Sequence, residues 1–232
     1  MKLLALETST EYCSVALYQD GVISERFELV GQKHSELLID MIAAVLHDAQ
    51  LSLVELDGIA YGSGPGSFTG VRIACGTTQG LALGANLRVY GVCTLQALAQ
   101  ASGHSRVIAA LDARMGEIYH AVYELQQGEW KVLSEPSLCK AEEAPQVEGE
   151  GWFGAGSGFA TYSDALQTRY NKHLQGVDGK AVPHAAAVVA LAASAFAAGK
   201  GQDAALAQPL YLRNKVALKT AEREQLAREK NA

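Results

Sequence analysis

The pattern of hydrophobic and polar positions predicts an α/β protein that opens with a strand meander. Apolar residues dominate 2–6 and recur with partial alternation over 13–19. The dipeptide Asp20-Gly21 is typical of a tight turn and leads into a third predicted strand over 22–29. Three consecutive strands are therefore expected at the start of a mixed sheet.

A broad apolar stripe with helical spacing follows the meander. Ser35 is predicted to cap a helix that runs to about Ala49. The stripe repeats every three to five residues and consists of Leu37, Leu38, Met41, Ile42, Val45 and Leu46. Such a face is usually core. With Ile39 included, however, the apolar arc is wider than one sheet contact needs, so part of it could contact a partner.

A glycine-rich segment, Gly62–Gly70, lies between a predicted buried strand over 56–61 and a second predicted helix over 71–84. The N-terminus of a helix favours an anion, and glycine lets the backbone approach a ligand closely. The GK[ST] sequence of a P-loop is absent. A tight turn without any ligand explains the segment equally well.

The second helix is dense in small residues, namely Ala74, Cys75, Gly76, Thr77, Thr78, Gly80, Ala82, Gly84 and Ala85. Each glycine inside a helix costs about 0.5–1 kcal/mol relative to alanine. Close approach of another backbone would compensate this cost. That backbone could belong to the chain's own sheet or to a second subunit, and both could hold on different faces.

The rest of the chain predicts a second set of strands and helices. In order these are a strand over 89–92, a helix over 94–101 capped by Thr94, strands over 107–112 and 117–125, a loop over 140–151, helices over 160–170 and 185–198, and a charged helix after Ala217. The tight turn at 113–116 makes a second hairpin, which indicates two related halves.

Composition narrows the function classes. The formal net charge of −6 argues against a stand-alone nucleic-acid binder, because phosphate contacts need clustered Lys and Arg. No apolar run approaches the roughly 18 residues of a membrane span. The four cysteines form no CxxC pair, so we expect reduced thiols in a cytoplasmic protein.

A search for catalytic groups finds little. No two of the six histidines lie three or four residues apart, so a helix cannot present two of them to a metal. Asp112 and Glu117 flank a turn and could pair with Arg114, which is more often a structural ion pair than an acid–base dyad. Glu7, at the end of the first strand, is better placed for metal or phosphate work, but its loop at 8–11 has no glycine.

Several segments together carry a family resemblance. The sequences ALETST, CSVAL, AYGSGPGSFTGVRI, QGLALG, LDARMGEIY and PLYLRN resemble the TsaB (YeaZ) family of bacteria, over Leu3 to about Val216. The resemblance implies the actin-like, Hsp70-like ATPase fold, with two RNase H-like lobes of mixed sheets flanked by helices. It implies an N-terminal lobe of residues 1–102 plus 206–232 and a second lobe of residues 103–205.

The same resemblance implies a non-catalytic scaffold. Its partner TsaD transfers threonylcarbamoyl to adenosine 37 of tRNAs that read ANN codons, and TsaE joins the complex as an ATPase. The chain alone would form a homodimer, with tRNA contacted only indirectly. The metal-binding HxxxH of TsaD is missing, since only His34 lies near the corresponding helix. No metal is expected, and ATP or ADP would bind only at the complex interface.

Site residues carried over by the resemblance fall into three groups. The pairing surface would lie on the helices over 35–49 and 70–84, at Leu37, Leu38, Met41, Ile42, Val45, Val71, Ala74, Cys75 and Thr78. An interface nucleotide or anion would meet Gly64, Gly66, Ser67, Thr69, Gly70 and Arg72. A vestigial phosphate position would comprise Glu7, Thr8 and Ser9.

Two enzyme classes stay open as alternatives. One is an independent ATPase or small-molecule kinase, suggested by the superfamily and by the glycine-rich segments 62–70 and 154–158. The other is a glycoprotease-like metallopeptidase, which would need bound metal.

Overall fold

The computed structural model describes residues 1–213 and contains two five-stranded sheets flanked by helices. The strands are β1 (Lys2–Glu7), β2 (Tyr12–Gln19), β3 (Val22–Leu29), β4 (Gly58–Gly64), β5 (Arg88–Cys93), β6 (Arg106–Arg114), β7 (Glu117–Gln126), β8 (Glu129–Lys140), β9 (Trp152–Ala155) and β10 (Leu174–Asp178). The helices are α1 (His34–Asp48), α2 (Phe68–Ala85), α3 (Thr94–Ala101), α4 (Ser157–Thr161), α5 (Ser163–Tyr170) and α6 (Ala185–Ala197).

The two sheets share one topology. The first has the order β3-β2-β1-β4-β5, and the second, read from its opposite edge, has the order β8-β7-β6-β9-β10. In each sheet three antiparallel strands form a meander, and two parallel strands continue it. The predicted opening meander and the repeated hairpin are therefore both present, as two copies of one arrangement.

Strand alternation gives the first sheet two covered faces. Leu4 and Leu6 point to the side that α1 and α2 cover, whereas Leu3 and Ala5 point to the side that α6 covers. All four side chains are fully buried. The first sheet thus forms the middle of three layers, and it fixes where α1 and α2 can lie.

The second sheet is covered by α4 and α5 on one face and by α3 on the other. Helix α3 also joins the two lobes, because Leu95 and Leu98 pack on the second sheet while Ala97 packs in the layer of α6. Helix α6 packs on the first sheet, although residues 103–205 are the predicted second lobe. The exact division into lobes stays a prediction.

Several local predictions need correction. Strands β8 and β10 were not predicted, because β8 lies at a sheet edge with few buried side chains and little apolar alternation. Ser35 does not cap α1, which begins one residue earlier, at His34. Thr94 is the first residue of α3, and its hydroxyl donates to the Pro65 carbonyl instead of capping the helix. The helix predicted after Ala217 lies outside the described residues.

Candidate partner-binding surface and interlobe cleft

Helix α2 begins at a side-chain cap and ends at a left-handed residue. Ser67 precedes it, and its hydroxyl oxygen accepts a hydrogen bond from the Gly70 amide at 3.3 Å. Asn86 follows it with a φ of 53°, a conformation that asparagine tolerates better than most residues. Between these ends, 18 residues present one long face to the first sheet and another to solvent.

The face of α2 toward the sheet consists of residues with small side chains, because the backbone of α2 approaches that of the segment around Thr8 closely. Ala74, Thr78 and Ala82 are fully buried there. At Gly70 a Cβ atom would lie 1.9 Å from the Thr8 carbonyl oxygen, so no larger residue fits without movement of the backbone. The Thr8 hydroxyl also donates to the Gly70 carbonyl at 2.7 Å. The chain's own sheet therefore accounts for this half of the helix.

The opposite face of α2 also consists largely of residues with small side chains, but no other part of residues 1–213 covers it. Gly76, Gly80 and Gly84 recur every four positions and so share one side of the helix. A Cβ atom at any of the three would have no neighbour within 4 Å apart from the helix's own backbone. Leu83, beside them, is 63% exposed. We call these four residues the open face of α2.

Helix α1 shows the same division into a covered and an exposed side. Leu38, Met41, Ile42 and Val45 are each at most 5% exposed and pack in the core under the first sheet. On the other side, Ile39 is 53% exposed. Helix α1 contacts α2, and an isoleucine this accessible is a further apolar side chain that a partner docked on these helices could cover.

The predicted pairing residues mostly lie on the covered sides of the two helices. Buried are Leu38, Met41, Ile42, Val45, Val71, Ala74, Cys75 and Thr78, and Leu37 is partly buried. Their contact with a partner stays a prediction. The residues of the same helices that a partner could reach directly include Ile39, Ala43, Gly76, Gly80 and Leu83. The four-residue spacing of the glycines was the signal that could have found them.

The glycine-rich loop faces the β1–β2 hairpin of the same chain. A Cβ at Gly62 would lie 1.7 Å from a carboxylate oxygen of Glu7, and one at Gly66 would lie 2.6 Å from the Ser9 Cβ. The Ser67 amide donates to the Ser9 carbonyl at 2.7 Å. Packing within the chain therefore accounts for these two glycines. Anion binding by the loop stays a prediction.

The three residues of the predicted phosphate position are buried. The Ser9 amide donates to Glu7 Oε1 at 2.5 Å, whereas Glu7 Oε2 and the Ser9 hydroxyl have no hydrogen-bond partner within the described residues. Burial raises the pKa of the Glu7 carboxyl, and the hydrogen bond from the Ser9 amide opposes this only in part. Of the three residues, only Ser9 lines the cleft between the lobes.

That cleft has a volume of about 1010 Å³ and is lined by both lobes. The first lobe contributes residues 9–11 and the loop 65–71, and the second contributes residues 111–115 around the β6–β7 turn. Residues 210–213 also line it. The segments GPGSFTG, DARMGE and PLYLRN, which are far apart in sequence, therefore meet at one place.

The segment 207–213, here called the strap, makes hydrogen bonds and an ion pair to both lobes at the cleft. The Leu210 amide donates to the Ser63 carbonyl at 2.7 Å and so extends the hydrogen bonding at the end of β4. At the other lobe, Arg213 pairs with Glu117 at 2.7 Å. The strap thereby connects the first lobe with the β6–β7 turn.

The predicted pairing around that turn is partly corrected. Arg114 pairs with Asp112 at 3.2 Å, as expected. Glu117 pairs with Arg213 of the strap, a contact that no local pattern could indicate. Within residues 1–213, no three His, Cys, Asp or Glu side chains are grouped so that they could hold a metal ion. No helix in the same range is long and apolar enough to cross a membrane.

Comparison with known proteins identifies the family. The chain is 41% identical over 229 residues to the tRNA threonylcarbamoyladenosine biosynthesis protein TsaB of Escherichia coli, a match that covers 94% of this chain and 97% of that relative. The chain belongs to the TsaB (YeaZ) family. The TsaB of Haemophilus influenzae is 38% identical, with coverage of 94% and 96%.

Two further comparisons agree with the TsaB assignment. A family model described as TsaD, tRNA N6-adenosine threonylcarbamoyltransferase, matches residues 14–221. The solved structure of YeaZ from Pseudomonas aeruginosa is similar with a TM-score of 0.85 and 40% identity, over 91% of this chain and 99% of that one. The predicted fold class, two mixed sheets flanked by helices in two lobes, is confirmed by the structure and by this similarity.

Proposed function

We propose that this TsaB-family chain is a non-catalytic partner subunit in the cytoplasmic complex that forms N6-threonylcarbamoyladenosine at position 37 of tRNAs reading ANN codons. It pairs directly with TsaD, and TsaE joins the pair. The names of its relatives and the TsaD family match support the pathway. tRNA is contacted only indirectly.

The observation that carries the partner role is the open face of α2. Three glycines in one helix cost roughly 0.5–1 kcal/mol each relative to alanine, and no contact within residues 1–213 offsets that cost. A helix from a second protein that packs closely against them would offset it. The neighbouring exposed Leu83 and Ile39 supply apolar area for the same contact.

The candidate catalytic groups support a role without chemistry of its own. Glu7 is enclosed, and burial raises its pKa. Burial likewise raises the pKa of each of the four cysteine thiols, which makes them poor nucleophiles. Enclosed in this way, these groups are poorly placed for catalysis, whereas the accessible surface is suited to docking.

The test is a bulky residue on the open face. In Gly80→Leu the new side chain projects into open space, so the fold is retained and the melting temperature is unchanged or higher. We expect TsaD affinity to fall at least about 100-fold, because the two backbones can no longer approach. Formation of the modified adenosine by the reconstituted TsaB–TsaD–TsaE complex should fall with it. The control is Ser194→Leu, which places the same side chain at an exposed position of α6, on the other side of the sheet.

Undiminished TsaD affinity in folded Gly80→Leu would show that the open face is not the docking surface. In the absence of TsaD, we propose that the same face pairs two copies of this chain. Size-exclusion chromatography with light scattering should then give a dimer for the wild type and a monomer for Gly80→Leu.

A second candidate function is an independent ATP-binding enzyme, which the large interlobe cleft favours. Our proposal instead places ATP or ADP only at the interface of the assembled complex. Calorimetry with ATP and magnesium separates the two. Micromolar affinity with turnover by the chain alone supports the enzyme, whereas binding only after TsaD is added supports the interface site.

A further inference from the structure

A single cation at the start of α2 is held in a fixed geometry. The Arg72 guanidinium carbon lies 3.7 Å from the centroid of the Phe68 ring and 5.6 Å from that of the Tyr211 ring. Its Nε donates to the Tyr211 hydroxyl at 2.6 Å. Since Tyr211 belongs to the strap, the strap and the first turn of α2 together position this one side chain.

The Arg72 guanidinium is held in place, but no carboxylate within residues 1–213 neutralises its charge. Arg72 makes no ion pair within residues 1–213, and its only hydrogen bond in that range is the one from Nε. The terminal nitrogens therefore keep their donors available on an exposed side chain. A planar guanidinium held on an aromatic ring loses little rotamer entropy when it binds, and its paired donors match a carboxylate.

Arg72 lies at the edge of the docking surface. It lies four residues before Gly76, so it stands on the same side of α2, one turn ahead of the open face. Phe68 and Tyr211, which flank it, are 42% and 45% exposed. An arginine with two accessible aromatic rings at the edge of an apolar surface has the composition of an interface anchor.

The neighbourhood favours a protein carboxylate over a nucleic-acid phosphate. Arg72 is the only Lys or Arg in α2, and the open face beside it is formed by glycine and leucine. Arg114 and Arg213 line the nearby cleft together with Phe68 and Tyr211, but each of them already pairs with a carboxylate, of Asp112 and Glu117 respectively. A phosphate backbone would call for several unpaired clustered cations, whereas a single arginine at the edge of an apolar contact is typical of interfaces between proteins.

We infer that Arg72 is the specificity anchor of the docking surface and binds an Asp or Glu carboxylate of the partner subunit in a bidentate pair. The inference rests on the proposed function, in which TsaD docks on the open face. Phe68 and Tyr211 hold the guanidinium in an orientation from which its terminal nitrogens can donate to this carboxylate.

The experiment measures TsaD affinity for three substitutions. Arg72→Gln removes the charge and should weaken binding about 10- to 100-fold, as loss of a charge-assisted hydrogen-bonded pair predicts. Arg72→Lys keeps the charge but loses the planar fork, and should restore only part of the affinity. The matched control, Arg88→Gln, removes an exposed arginine at the start of β5, beyond the far end of α2, and should leave the affinity unchanged.

The partner carboxylate is identified by a double-mutant cycle. Asp→Asn and Glu→Gln changes on the docking surface of TsaD are combined with Arg72→Gln. One of them should cost less in the variant than in the wild type, and this coupling should shrink as salt rises from 0.05 to 0.5 M, concentrations chosen to span about threefold in Debye length.

The outcomes separate this inference from the proposed function. If Gly80→Leu abolishes pairing but Arg72→Gln does not weaken it, docking stands and the anchor is wrong. If neither affects pairing, the docking surface itself is misplaced. If Arg72→Gln leaves TsaD affinity intact but weakens tRNA binding by the complex, the arginine contacts phosphate and the inference is overturned.

Discussion

The two faces of helix α2 are both built from small residues, but for different reasons. On the covered face, Gly70 and Ala74 are small because the first sheet and the Thr8 backbone leave no space. On the open face, Gly76 and Gly80 have free space around them. The glycine of the covered face is explained by packing within the chain, whereas no contact within residues 1–213 explains the glycines of the open face. Helix α1 repeats the contrast with Ile42 and Ile39.

The largest expected difference is between the two isoleucines of α1. Ile42 is 4% exposed, so Ile42→Asp places a charge in the core and should lower the free energy of unfolding by about 3–5 kcal/mol. Ile39 is 53% exposed, so Ile39→Asp should change it by less than about 0.5 kcal/mol while weakening TsaD affinity. Urea unfolding and titration with TsaD measure the two effects. Equal stability losses would mean that α1 is not oriented as described.

A smaller contrast comes from one substitution at two glycines of α2. Gly70→Ala should lower the free energy of unfolding by about 2–3 kcal/mol, because its Cβ would lie 1.9 Å from the Thr8 carbonyl oxygen. Gly80→Ala should raise it by about 0.5–1 kcal/mol, because alanine favours the helix and meets no neighbour. Thermal unfolding of both variants checks the opposite signs. A stable Gly70→Ala would refute the close approach to Thr8.

The smallest expected effect is the pH dependence of stability that comes from Glu7. This residue ends β1 and is buried next to the covered face of α2. Its pKa in the folded state is raised above the ordinary 4.5. Above pH 4.5 the unfolded chain releases this proton first, so the contribution of Glu7 to stability is present at low pH and falls as the pH rises. Glu7→Gln, which cannot ionise, should therefore be more stable than the wild type at pH 8 and similar to it at pH 4.

Melting temperatures of both proteins across this range test the sign. A Glu7→Gln variant that loses stability specifically at pH 8 would mean that the carboxylate is ionised and held by hydrogen bonds. The open face has no buried titratable group of this kind, so Gly80→Ala should show the same stability gain at every pH.

Local patterns were sufficient for most elements of the fold. The opening meander, the helices α1 and α2 and the hairpin of β6 and β7 follow from periodicity and from turn residues such as Asp20-Gly21, whose φ angles of 51° and 95° suit a tight hairpin turn. The edge strands β8 and β10 were missed because an edge strand buries little and so leaves no clear alternation.

The predicted pairing residues lie on α1 and α2, but the structure places most of them on the covered sides of these helices, and their contact with a partner stays a prediction. An apolar stripe indicates that one side of a helix is buried, and in α1 that side packs on the first sheet of the same chain. Periodicity cannot say what covers a face, so Leu38 and Ile42 were assigned to a partner although the first sheet already contacts them. The four-residue spacing of the glycines is present in the sequence, but which faces of the two helices stay accessible is known only from burial.

The amino-acid sequence by itself determined the periodic elements, the two related halves and the family, because each of these is encoded in residues close together along the chain. Tertiary structure alone decided that Arg213 reaches Glu117, that Tyr211 positions Arg72, and that residues 1–213 leave one side of α2 uncovered. These contacts join residues about 100 or more positions apart, and their partners are selected by how the sheets and the strap pack rather than by any local pattern.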